Sequence, residues 1–295
     1  MDLSFIIVNY NTTALTIACI QSIYAHTKIN SFEVILIDNA SSTPSIHEVL
    51  LSYPKVILIT NKTNVGFGRA NNQGIEIAKG KYVFLLNSDT ELTSDAAHTF
   101  FNYMEAFENK KVACCGAELV NKNGFKQVSY GNFPSLTEAI FMLGLHLVFK
   151  KIFEAHLNSG VIIHFEDIRE VDFISGADLF IRKSILDDLG GFNPDFFLYF
   201  EEVELAKRIT TAGYRSVIIP TVKIIHLESA SFKQQQYNLS KIQYMAKSRR
   251  LYFIMTNQKF TAFGINKVYA LQAMLFFCLR LKRNYLQSAY ILLNN

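Results

Sequence analysis

The chain has 295 residues, 50% of them hydrophobic and 18% charged, with 25 phenylalanines and 14 tyrosines. This composition fills a large core and excludes intrinsic disorder, and the length suits one large domain or a domain with an appendage. A net charge of +4 is too small for a nucleic-acid footprint, which needs a concentrated basic stripe, but it admits anionic ligands and an anionic membrane surface.

Residues 3–8 read as a buried strand, with no basic leader or cleavage site ahead of them, so the expected compartment is the cytoplasm. A helix over 14–24 and strands over 32–37 and 56–60 follow. A helix over 67–79 then leads through Gly80 into a strand over 82–86. This alternation predicts an α/β fold with a mostly parallel, Rossmann-like sheet flanked by helices. In such a sheet ligands sit beyond the carboxyl ends of the strands. Asp38 ends the second strand and Asp89, in the polar turn Asn87-Ser88-Asp89, ends the fourth, so both fall on that edge.

An acid at a strand end is a common turn former, but here it is also a candidate to hold a cation against a diphosphate. The loop from Asn61 to Asn72 joins Gly66 and Gly68 to Arg69 at a helix start. Glycines allow close approach of backbone amides, a helix N-terminus favours anions, and Arg69 is a candidate phosphate partner. Its glycine spacing fits neither the phosphate-binding loop nor the dinucleotide fingerprint.

After a helix over 95–108 and a strand over 112–120, residues 125–170 read as an irregular insertion with an apolar run over 140–149, suited to an acceptor pocket, to lipid or to the core. A helix is expected over 199–212. Glu202 shares a face with Leu205, Ala206 and Ile209 and is expected to point inward, while Glu201, Glu204 and Arg208 form a polar flank with a Glu204–Arg208 pair. Burial raises a carboxylate's pKa toward the range of a general base. Two strands are expected over 214–220 and 222–225, with His226 directly after the second as a candidate metal ligand.

Cys19, Cys114, Cys115 and Cys278 have neither metal-ligand spacing nor a disulfide pattern and read as reduced core thiols. The apolar runs over 140–149 and 268–279 are each shorter than the roughly 20 residues that span a bilayer. The second leads into Arg280, Lys282 and Arg283, which suits either peripheral contact with the inner face of a membrane or a helix in the core or a homodimer interface.

The motifs Asn9-Tyr10-Asn11, Asp38-Asn39-Ala40-Ser41-Ser42, Asn64-Val65-Gly66-Phe67, Leu85-Leu86-Asn87-Ser88-Asp89-Thr90, Gly190-Gly191-Phe192, Phe200-Glu201-Glu202-Val203-Glu204 and Ile225-His226 stand in an order and spacing that resemble glycosyltransferase family 2. Those enzymes are inverting and have the GT-A fold, and the nearest likeness is to the bacterial rhamnosyltransferase-like members. The resemblance implies a catalytic domain over residues 1–259 and a helical extension over 260–295. It implies a nucleotide-sugar donor, a glycan or lipid-linked glycan acceptor, and Mg²⁺ or Mn²⁺. Asp38 would meet the base, with Asn9, Asn11, Asn39, Gly66, Phe67, Arg69, Asn87 and Ser88 along the donor. Asp89 and His226 would meet the metal, Gly176 and Asp178 would face donor and acceptor, and Glu202 would be the catalytic base. The family's Asp-x-Asp is Asn87-x-Asp89 here, and its Glu-Asp pair is Glu201-Glu202. A nucleotidyltransferase would instead show a glycine-rich basic loop after the first strand, and a binding module would have no use for Glu202.

Overall fold

The structure, a computed structural model, describes residues 1–42, 46, 48–160, 165–227 and 239–295. Eleven strands form within them: β1 (Leu3–Asn9), β2 (Phe32–Asp38), β3 (Ile57–Thr60), β4 (Tyr82–Asn87), β5 (Thr90–Leu92), β6 (Val112–Val120), β7 (Tyr130–Gly131), β8 (Arg169–Val171), β9 (Phe173–Ile174), β10 (Asp178–Arg182) and β11 (Arg215–His226). The main sheet runs β3-β2-β1-β4-β10-β6-β11-β5, with β8 on the flank of β11. β3, β2, β1 and β4 are parallel, as the alternation predicts. Beyond β4 the sheet is mixed, because β10 runs antiparallel to both β4 and β6 while β6 and β11 are parallel.

The parallel half reads as near-continuous apolar runs because both faces are covered. On one face Phe5, Phe84, Phe100 and Phe180 pack with the helices Thr13–His26 and Ala96–Glu105. On the other, Ile6, Ile37, Val83 and Leu85 meet the helices Phe67–Ile77 and Glu201–Thr211. Alternation along each strand sends successive side chains to the two layers. Each buried phenylalanine contributes on the order of 2–3 kcal/mol.

β1 has β2 on one side and β4 on the other, so the connections leave β1 in opposite directions and open a crevice at its carboxyl end. Register places Asn9 beside Asp38, and Val8 beside Asn87, on this one edge.

Several expected elements are corrected. The two strands expected over 214–225 are one, β11, which keeps pairing with β6 through an irregularity between Ile219 and Lys223 that absorbs Pro220. The insertion over 125–170 is largely ordered: a helix Leu136–Ile140, a π-turn Phe141–Leu145 around Gly144 and a helix Lys150–His156 follow β7. Cys19, Cys114 and Cys115 are buried, but Cys278 is exposed, because the C-terminal helices pack through small residues and turn their larger side chains outward.

Three helices, Leu239–Met255, Lys259–Arg280 and Arg283–Leu293, form a further layer. It joins the sheet domain through a cluster in which Tyr252, Phe253, Ala262 and Ile265 pack on Phe173, Phe196, Val203 and Ala206.

Candidate active site

The crevice at the carboxyl edge of β1 and β4 deepens into a cleft of about 570 Å³. Its end at β1 and β2 is organised by amides. Asn9 is fully buried, and its Nδ2 donates to Asp38 Oδ1 at 2.8 Å and to Ser41 Oγ at 2.9 Å, while its Oδ1 accepts from Thr16 Oγ1 at 2.8 Å. Thr12 extends this network across the sheet, with its Oγ1 2.8 Å from Ser88 Oγ. Asn39 Oδ1 accepts from the Val65 amide and from Asn61 Nδ2, and its Nδ2 donates to Asn64 Oδ1, which fixes the loop before Gly66.

Gly66 has φ +91°, and a Cβ there would stand 2.4 Å from the Phe197 carbonyl oxygen. That position therefore demands glycine. The Phe67 amide donates to the same oxygen at 3.0 Å, which ties the loop to the segment carrying the catalytic candidates.

Asp89 reaches His226 through strand pairing. β5 follows the Asn87-Ser88-Asp89 turn and runs antiparallel to β11, opposing Thr90 to His226. His226 Nε2 then lies 3.4 Å from Asp89 Oδ1 and 3.5 Å from Asn87 Nδ2. The pair is mostly buried, yet both residues line the cleft. A carboxylate oxygen and an imidazole nitrogen facing one opening suit a hard divalent cation that keeps diphosphate and water oxygens as its other ligands. Among the described residues no group of three or more His, Cys, Asp or Glu stands ready to hold a metal. The donor set fits a cation shared with substrate and does not make a closed protein cage.

The opposite wall is the start of the helix Glu201–Thr211. Tyr199 and Phe200, expected inside that helix, lie outside it with φ of +70° and +71°. Left-handed backbone at two bulky residues costs on the order of 1–3 kcal/mol each, and neighbouring contacts hold it. Ser248 Oγ donates to the Leu198 carbonyl at 2.8 Å, and Tyr244 stacks on Phe197 with centroids 5.1 Å apart.

The expected assignment of faces on this helix needs correction. Glu201 and Glu204 are the buried acids, at 3% and 6% exposure, and Glu202 is half-buried on the cleft. Glu202 does share a face with Leu205 and Ile209, but at the first turn that face meets the cleft, where Gly176 has no side chain and a Cβ would lie 3.8 Å from Glu202 Cβ. Glu201 is closed in from the side of Gly68 and Phe192. Glu204 pairs with Arg208, as expected, and Arg208 also donates to the carbonyls of Leu189, Gly190 and Gly191.

Burial first, and the neighbouring Glu202 second, push the Glu201 carboxyl above the ordinary range. Burial also raises Glu202. Among the described residues Glu201 Oε2 has no hydrogen-bond partner. Two adjacent acids in a desolvated wall cannot both ionise readily, so the pair resists losing its second proton.

Of the other expected residues, Asn39, Gly66, Phe67, Asn87, Ser88 and Gly176 line the cleft. Asn9 and Asp38 sit behind its floor, and Asn11 is exposed at the rim, where its Oδ1 accepts from Ser42. Arg69 points away, exposed, with its Nε donating to the Pro194 carbonyl at 2.6 Å. Asp178 is fully buried in β10, accepts from the Ala117 amide at 2.5 Å, and is raised well above the carboxylate range by burial. Both are brought to structural positions because each finds a backbone partner outside the cleft.

Among the lining residues not expected at the site are Tyr10, Lys241 and Tyr244. Among the described residues lining the cleft Lys241 is the one lysine or arginine, and its Nζ lies 5.7 Å from the centre of the Tyr199 ring. Tyr10 could have been found, since it follows Asn9 at the end of β1. Lys241 and Tyr244 come from a helix whose sequence alone gives no hint that it reaches the cleft.

A mixed α/β sheet with a crevice at its parallel edge, one acid beside a histidine and a second acidic pair across from it, defines a GT-A glycosyltransferase. The sequence model for glycosyl transferase family 2 matches residues 4–190, and the chain belongs to that family. It is similar to the N-acetylglucosaminyl-diphospho-decaprenol L-rhamnosyltransferase of Mycobacterium tuberculosis, with 25% identity over 214 residues that cover 67% of each chain. It is also similar to the rhamnosyltransferase WbbL of Escherichia coli, with 28% identity over 210 residues, 66% of this chain and 74% of that one. Among solved structures, the mannosyltransferase PcManGT of Pyrobaculum calidifontis, in complex with GDP-Man and Mn²⁺, superposes with a TM-score of 0.58 at 16% identity, covering 99% of this chain and 84% of that one.

Proposed function

We propose that this glycosyltransferase moves rhamnose from dTDP-rhamnose to a growing cell-surface glycan of O-antigen or capsular type, carried on a lipid, at the cytoplasmic side of the membrane. The single observation that carries the mechanism is that one cleft holds the Asp89–His226 pair on one wall and the Glu201–Glu202 pair on the other. The rhamnosyl donor and the lipid-linked acceptor draw support from the two rhamnosyltransferase relatives, one of which is named for a diphospho-decaprenol acceptor. A UDP-hexose would be served by the same walls and is the alternative donor.

Glu202 is the base because it is the less buried of the two acids that line the cleft, and its raised pKa makes it a stronger proton acceptor than an ordinary carboxylate. Its carboxylate takes the acceptor hydroxyl proton as that oxygen bonds to the anomeric carbon. The bond from that carbon to the diphosphate oxygen breaks on the far side, with inversion, and the nucleoside diphosphate leaves with the electron pair. Burial of Glu201 behind Glu202 disfavours a second charge in this wall.

Asp89 and His226 would hold Mg²⁺ or Mn²⁺, which supplies positive charge against the departing diphosphate. Lys241, beside Tyr199 on the Glu201–Glu202 wall, adds a cation to the cleft. Asp38, Asn9, Asn11 and Asn39 shape the base and ribose end, with Gly66 and Phe67 below the donor and Gly176 leaving room for the sugar. Residues 1–259 make the catalytic unit and 260–295 its helical extension. Thermal-shift titration with dTDP-rhamnose, UDP-glucose, UDP-GlcNAc and GDP-mannose, each with Mn²⁺ or EDTA, tests the donor. A shift that is largest with dTDP-rhamnose and falls with EDTA is expected, and a preference for a UDP-sugar would reassign the donor.

A further inference from the structure

The helix Lys259–Arg280 presents its two sides in an unusual way. The inward face is made mostly of small or polar residues around one isoleucine: Ala262, Ile265, Asn266, Ala270 and Ala273 are buried. Asn266 Nδ2 donates to the Ala246 carbonyl at 3.0 Å, and Gln272 Nε2 reaches the Met142 carbonyl at 2.7 Å. The outward face is the apolar one. Phe260 at 98%, Phe263 at 72%, Leu271 at 48% and Leu275 at 42% exposure recur at helical spacing along the helix's length. Lys267 interrupts this stripe with its Nζ 3.6 Å from the centre of the Phe263 ring. The segment that Gln272 holds, Leu136–Val148, continues the exposed apolar surface with Leu147 and Val148 at 77% and 75%.

Charge in this layer is one-sided. Residues 239–295 contain nine lysines and arginines and no aspartate or glutamate, so the other residues sum to −5 in a chain whose total is +4. Arg280, Lys282 and Arg283 close the helix where Leu279 and Leu281 stand exposed at 78% and 77%.

We infer that this helix lies flat on an anionic lipid surface, its phenylalanines and leucines in the headgroup boundary and the basic run at its end against lipid phosphates. The inference deepens the reading of a lipid-linked acceptor and rests on it for its biological sense. An apolar stripe with cations at its border and no acids fits such a surface. A second copy fits it poorly, because a symmetric contact through this face would set one all-basic segment against another. Spanning is also disfavoured: the helix is 22 residues long and apolar enough, but its inner face is committed to protein and Lys267 sits within the stripe. The neighbouring helix Leu239–Met255 lends Lys241 and Tyr244 to the cleft, so lipid docking would set the cleft near the bilayer surface.

The test uses the full chain in flotation assays, with vesicles of phosphatidylcholine alone or with about one third phosphatidylglycerol. The native chain is expected to float with the anionic vesicles and to stay behind with the zwitterionic ones. The variant F260S/F263S/L271S is expected to lose partitioning about tenfold or more while keeping its circular dichroism and thermal midpoint. K282Q/R283Q should lose several-fold and lose the rest as salt rises. Absence of flotation, equal flotation of the triple variant, or a native dimer that the triple variant converts to monomer would overturn the inference. Donor binding, measured without vesicles, reports separately on the proposed function.

Discussion

The Asp89 wall and the Glu201–Glu202 wall face the same space with acids in contrasting settings. Asp89 has His226 3.4 Å away, and its turn is braced by β5 against β11. Glu201 has no hydrogen-bond partner for Oε2 among the described residues and is pressed toward its protonated form by burial and by Glu202. An acid beside an imidazole at an opening is prepared to share a cation. Two acids side by side in a dry wall are prepared to trade a proton. The contrast teaches that position on the sheet edge selects which residues meet the substrate, and that the local wall decides what each carboxylate does there.

The comparison breaks most decisively at Glu202. Glu202→Gln is expected to lower kcat by about 10³-fold or more while leaving donor affinity within a few-fold. Near-native turnover would remove Glu202 from the base role. Asp89→Ala should act on the other wall, lowering kcat/KM by roughly 10²-fold and weakening the dependence of activity on Mn²⁺. An unchanged metal response would end its assignment.

Glu201→Gln sharpens the contrast between the walls. It keeps the shape of a protonated acid but removes the shared titration, so activity should fall by about tenfold and the acid limb of the pH–rate profile should change its position. A limb that does not move would show that the pair is uncoupled. Stability should respond in the reverse sense. Asp178, Glu201 and Glu202 are raised in the fold, so the native state holds protons that the unfolded chain has released. Their contribution is complete below the ordinary carboxylate range and declines as pH rises through their folded values. The thermal midpoint is therefore expected to fall between pH 5 and pH 8 as activity climbs, and Asp178→Asn, which leaves the cleft intact, should flatten that decline.

The smallest effect belongs to Ser248→Ala. Losing the hydrogen bond to the Leu198 carbonyl should cost about 1 kcal/mol and a few-fold in kcat, because it frees the left-handed turn at Tyr199 and Phe200. An unchanged kcat would mean that packing alone holds the turn.

Much of this was legible in the chain. The strand–helix alternation gave the parallel half of the sheet, and the polar ends of β1, β2 and β4 gave its functional edge. Periodicity put Glu202 on the face of Leu205 and Ile209, yet it could not tell that this face opens onto the cleft at the first turn, since that depends on Gly176 in the turn between β9 and β10. Arg69 and Asp178 looked like ligands by residue type, but backbone carbonyls and amides outside the cleft claim them. Lys241 and Tyr244 were invisible because their approach to the cleft is a tertiary fact, set by Tyr252 and Phe253 packing on the sheet domain.

The pairing of β5 with β11 also bears on how the molecule comes to be active. Asp89 and His226 meet only when two strands separated by most of the domain have found each other. Closing so long a loop is slow relative to forming the local β1 to β4 half. During folding, the base and ribose end of the cleft should therefore take shape before the cation end exists. A chain caught midway would have the Asn9–Asp38 end of the cleft without the Asp89–His226 pair, and the proposed metal-dependent donor binding would be a late signal that the sheet has closed.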